Sequence, residues 1–149
     1  MQNKYLDMII IEPLKDLTEK ALESYSNKNK IEEANKVAEL VVAKLKKKKL
    51  LTQQTQQTFV DVLLSAALLH NLFYDKEDWT SLFVARKMLE DLNHEYKVPF
   101  AMLDALCSTI EGQLGDDTPV PNCTPKPNTP TEMFSECVWI VKEAPNVFN

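Results

Sequence analysis

The chain offers only two imidazoles, His70 and His94, and three thiols, Cys107, Cys123 and Cys137. His70 follows the apolar run Val62 to Leu69, where helical spacing places it on one face with Phe59, Val62, Leu63, Ala66 and Leu69. An imidazole so placed can serve as a metal ligand. Glu111 falls on the apolar face of its own segment, and Asp116 and Asp117 follow it. His70, Glu111 and Asp116 or Asp117 are therefore a candidate oxygen-rich site for a divalent ion. The competing reading makes His70 a hydrogen-bonded core histidine and Glu111 a paired or pocket-edge acid. It is preferred, because buried polar groups are normally satisfied within the fold.

The remaining chemistry-bearing residues have simpler readings. Cys107 and Cys137 lie on apolar helical faces, where small buried thiols are common, and Cys123 lies in a proline-rich stretch that leaves it exposed. No neighbouring base marks any of them as a nucleophile. An odd number of widely spaced cysteines without a CxxC pair argues against a disulfide framework or a zinc knuckle. Asp75, Glu77 and Asp78 could hold a cation, but helix capping accounts for them. His94 follows Asn93 in what reads as a polar loop.

Charge narrows the partners. The net charge is −5, from 22 acids against 17 bases, and Arg86 is the sole arginine. Without the bidentate guanidinium fork, recognition of phosphates or guanine is poorly served, so nucleic acid is not an expected partner. The run Lys46 to Lys49 complements the end of a helix dipole and solvates a loop. No stretch approaches the ~20 consecutive apolar residues of a membrane span, and the short patch Met8 to Ile11 is broken by Glu12 and Pro13. The expectation is a cytoplasmic protein with no membrane partner.

These residues need helices to position them. Two glycines, Gly112 and Gly115, are too few for a hairpin architecture. Apolar spacing predicts a first helix through Leu14, Leu17, Ala21, Leu22 and Tyr25, and a second from about Ile31 to Lys46. The glutamine-rich Thr52 to Thr58 reads as a linker or first turn. A third helix carries Phe59 to His70, the most buried segment of the chain, and Phe59 is assigned to the core. A fourth starts after Asp75 and buries Trp79, Leu82, Phe83, Leu89 and Leu92; a fifth starts near Pro99 with Phe100, Leu103, Cys107, Ile110 and Leu114 inward. Gly115 to Pro130 contains five prolines and no regular pattern. Thr129, Pro130 and Glu132 then form a capping box for a last helix with Trp139 in the core, although a strand over Val138 to Val141 remains an alternative. The result is an all-α bundle of about six helices in one domain over residues 1–149.

The stretch Val62-Leu63-Leu64-Ser65-Ala66-Ala67-Leu68-Leu69-His70-Asn71 resembles the helix that carries the paired His-Asp of the HD-domain metal-dependent phosphohydrolases. Glu32 to Leu40 is similar to the helix presenting that family's first histidine, and Thr109 to Gly115 to a later segment that often carries further histidines; the resemblance spans about Lys30 to Lys142. It implies an HD-like helical bundle with a divalent ion that activates water against a phosphoester. Yet no histidine precedes His70, Glu33 stands at about the place of the first ligand, Asn71 replaces the adjacent aspartate, and no aspartate follows Asp117. The resemblance therefore implies a degenerate member, with Glu33, His70, Asn71, Glu111, Asp116 and Asp117 as a vestigial pocket.

Two functions follow. The first is a non-catalytic HD-like domain, without cofactor, that binds a partner protein or a small anionic ligand. Pro119, Pro121, Cys123, Pro125 and Pro127 lie in a candidate recognition loop, since proline lowers the entropy lost on docking. Small size without a fused module suits an accessory protein of a phage or mobile element. The alternative is a divergent phosphohydrolase that uses Mn, Fe or Mg on a nucleotide or another phosphate ester.

Overall fold

A helix whose apolar residues cover its whole circumference can satisfy them only at the centre of a bundle. Gln57–Phe73 is such a helix, with every residue from Val60 to His70 buried. In the computed structural model, which describes residues 3–24, 28–47, 57–73, 79–111 and 140–141, this central helix packs against each of the other four. In chain order they are α1 (Glu12–Leu22), α2 (Lys28–Lys47), α3 (Gln57–Phe73), α4 (Trp79–Tyr96) and α5 (Phe100–Glu111), preceded by a single 3-10 turn at Leu6–Met8. No strand occurs among the described residues. Among the described residues, no helix is long and apolar enough to cross a membrane.

The outer helices are one-sided. α1 opens with Pro13 in its first turn and buries Leu14, Leu17, Thr18, Ala21 and Leu22. α2 buries Ala34, Val37, Ala38, Val41, Val42 and Leu45, while its last turn carries Lys44, Lys46 and Lys47 where the helix dipole is negative. α5 buries Met102, Leu103, Leu106, Cys107 and Ile110. Each fully buried leucine contributes roughly 1.5–3 kcal/mol relative to exposure. Val141 is buried in the same core and Ile140 packs against it.

Several expectations change. His94 is not in a loop: α4 continues to Tyr96, and His94 sits exposed in its last turn. The true stop is Lys97, whose φ of 54° is left-handed. Its N–H reaches the Asn93 carbonyl at 2.7 Å, and the Asn93 Oδ1 accepts the Val98 N–H at 2.6 Å. Phe100 is not inward but 79% exposed, because it occupies the first position of α5 before that helix meets the core. Phe59 is half-buried at the edge of the core, one residue before α3 becomes enclosed. Residues 140 and 141 are helical, which removes the strand alternative there. The Asp75 cap, the Thr129 capping box and Trp139's core placement lie outside the described residues, or concern side chains that do.

Candidate functional site

His70 stands near the C-terminal end of α3 and is 1% exposed. Its Nδ1 lies 2.7 Å from the Ala67 carbonyl oxygen, one turn back. A carbonyl only accepts, so Nδ1 carries a proton, and the burial that lowers the pKa keeps the ring neutral with its lone pair on Nε2. Burial pushes the imidazole down from 6.5 to about 4, against the opposing effect of the Ala67 bond.

The other vestigial-pocket residues are less fully placed. Glu33 is half-buried on α2. Asn71 belongs to α3 and Glu111 to α5, but their side chains are outside the described residues, as are Asp116, Asp117 and the loop residues Pro119, Pro121, Cys123, Pro125 and Pro127. Among the described residues, no three His, Cys, Asp or Glu side chains converge.

Sequence reasoning passed over the polar groups the fold buries most completely. Asp61, on α3, is 0% exposed. Its Oδ2 accepts the N–H groups of Ile10 and Ile11 at 3.2 and 2.9 Å, and its Oδ1 accepts Gln57 Nε2 at 2.5 Å. Burial raises this carboxyl above its ordinary value, although all three hydrogen bonds favour the anion. The available signal was that Asp61 is the only charged residue between Gln57 and Leu69. Ser65 and Thr18 meet across α3 and α1 at 2.7 Å. Thr18 donates its proton to the Leu14 carbonyl, so Ser65 is the donor to Thr18. Asn3 donates to Asn35 Oδ1 at 2.9 Å and caps the following turn by accepting from Tyr5 and Leu6.

A cavity of about 90 Å³ opens between that N-terminal turn and α1, lined by Asn3, Leu6, Glu19, Leu22 and Glu23. Among the described residues, two carboxylates and no cation line it, which suits it poorly to an anion. Among the described residues the large exposed apolar side chains, Ile10, Leu40, Val84 and Phe100, are spread over the segment before α1, α2, α4 and α5.

No family model matches the chain, and neither a curated protein nor a solved structure matches it.

Proposed function

We propose that this protein is a non-catalytic, HD-like helical domain that binds a partner protein or a small anionic ligand. The observation that carries this reading is the state of His70. A hydrolytic metal ligand must present a lone pair to an open coordination site beside anionic oxygens. His70 instead is enclosed by the core with its Nδ1–H bonded to its own helix, and among the described residues no three His, Cys, Asp or Glu side chains converge to supply an anionic oxygen set. Its neighbour in the chain is the neutral amide Asn71. That combination supports a histidine retained for packing and hydrogen bonding.

The binding surface is then sought away from the acidic cavity, and the proline-rich stretch from Gly115 to Pro130 is the candidate. The test is metal analysis of the purified full-length chain together with equilibrium binding to a panel of nucleotides and phosphoesters. Substoichiometric manganese, iron and magnesium, with any bound phosphoester recovered intact, is the expected result. Stoichiometric metal with consumed substrate would replace this reading with the divergent phosphohydrolase.

A further inference from the structure

α2 divides the charge of the chain. Its 20 residues hold six lysines and three glutamates, a net +3, while the rest of the chain, with 19 acids against 11 bases, carries −8. All three glutamates precede Leu40, so the last two turns, Leu40 to Lys47, carry Lys44, Lys46 and Lys47 and no acid. A positive patch on an otherwise acidic protein steers anionic partners to one place.

The face that carries this charge is not purely polar. The core side of α2 is Ala34, Val37, Ala38, Val41 and Leu45. Leu40, Ala43 and Lys47 stand at i, i+3 and i+7 on the opposite side, and all three are exposed, Leu40 at 41%. Lys46 is exposed next to Lys47. Offsetting the helix dipole accounts for cations in the last turn. It does not account for an apolar step set on the same face before them.

The residue types select among anionic partners. Neither arginine nor an aromatic residue occurs from Ser26 to Thr58, so α2 offers no guanidinium fork for phosphates and no ring on which a base stacks. A bilayer surface is engaged by a broad apolar helix face, whereas Leu40 is the one large apolar side chain exposed on α2 among the described residues. Ammonium groups beside one leucine match carboxylates beside one apolar side chain. Leu40 and Lys47 are about 10 Å apart along the axis, a span that about three residues of an extended chain bridge.

We propose that the outer face of α2 docks an acidic segment of a partner protein, with its carboxylates on Lys46 and Lys47 and an apolar side chain over Leu40 and Ala43. This face is separate from His70 and from the proline-rich stretch, so its test can fail while the reading of His70 stands.

The test is titration of the full-length, nitrogen-15-labelled chain with a blocked peptide of repeated Glu-Leu-Glu-Glu units. Its counterpart with serine for leucine, an oligothymidylate of equal charge, and vesicles of phosphatidylserine and phosphatidylcholine are titrated beside it. The leucine peptide produces saturable shifts at the amides of residues 40–47. The serine peptide, the oligothymidylate and the vesicles each bind at least about threefold more weakly, since the apolar contact or the carboxylate match is missing. The double variant Lys46→Gln, Lys47→Gln changes only exposed side chains, keeps the folded spectrum and binds the leucine peptide at least about threefold more weakly. Absence of saturable shifts, equal binding of any comparison probe, or undiminished binding by the double variant overturns the proposal.

Discussion

The carboxylate of Asp61 on α3 accepts the N–H of Ile11 at 2.9 Å, across a separation of 50 residues, and so anchors the N-cap residue of α1 to the central helix. The Oδ2 of Asp61 takes the Ile10 N–H as well, which fixes the segment that leads into α1. Asp61→Ala is expected to cost about 3 kcal/mol, because it leaves two amides without their acceptor. Asp61→Asn retains one acceptor oxygen and is expected to cost about half as much. Urea unfolding of both variants checks the order. Equal midpoints for the alanine variant and wild type would show that the anchor is dispensable.

Thr18 and Ser65 make an asymmetric pair, which gives an asymmetric prediction. Thr18→Val strands the Ser65 hydroxyl in the core and is expected to cost ~1–2 kcal/mol. Ser65→Ala leaves Thr18 bonded to the Leu14 carbonyl and should cost less than ~1 kcal/mol. The double variant should be less destabilised than the sum, by about 1 kcal/mol. Strict additivity in a double-mutant cycle would mean that the 2.7 Å contact contributes nothing.

The half-burial of Phe59 revises a core assignment. Leu64, at 0% exposure on the enclosed part of α3, is expected to lose ~3–4 kcal/mol on truncation to alanine. Phe59→Ala should lose ~1–2 kcal/mol, because part of its surface is already in water. Thermal unfolding that ranks the two the other way would place the core edge further toward Gln57.

These contrasts show what the sequence could and could not tell. The helices α2, α3 and α5 were legible because their apolar residues repeat at helical spacing, and a stripe such as Val37, Val41 and Leu45 has only one economical backbone. The Asp61 anchor was not legible. Its donors lie 50 and 51 residues away, and nothing local distinguishes a buried carboxylate awaiting a partner from a solvated one. Phe100 failed for the converse reason: its spacing matches Leu103 and Cys107, but a helix's first residue can stand clear of the face that the rest of the helix buries. His70 was legible as an inward residue, because it continues an unbroken apolar run.

Burial of His70 sets a pH dependence. The unfolded imidazole takes up a proton below about 6.5, whereas the folded one does so only below about 4. Between those values the unfolded state binds more protons, so stability is fully present above about pH 6.5 and falls as the pH drops toward about 4. The loss attributable to this one group is about 3 kcal/mol. Asp61 acts in the opposite sense, since its raised folded-state value favours the folded chain on acidification. Comparison with His70→Asn isolates the histidine: the variant retains an amide donor but no titrating ring, so its stability should fall less between pH 7 and 4.5. Parallel pH profiles for the two proteins would contradict the buried, neutral state.

The central claim is that His70 belongs to the core and not to a hydrolytic centre, and phosphoester turnover tests it most directly. Full-length protein would be incubated with nucleotides and phosphodiesters in the presence of manganese, iron or magnesium, alongside His70→Ala shown to be folded. No hydrolysis above background is expected for either protein, because one enclosed imidazole followed in the chain by a neutral amide supplies too little charge to hold a divalent ion and its attacking water. Robust metal-dependent turnover by the wild type that disappears in the folded His70→Ala variant would contradict the claim.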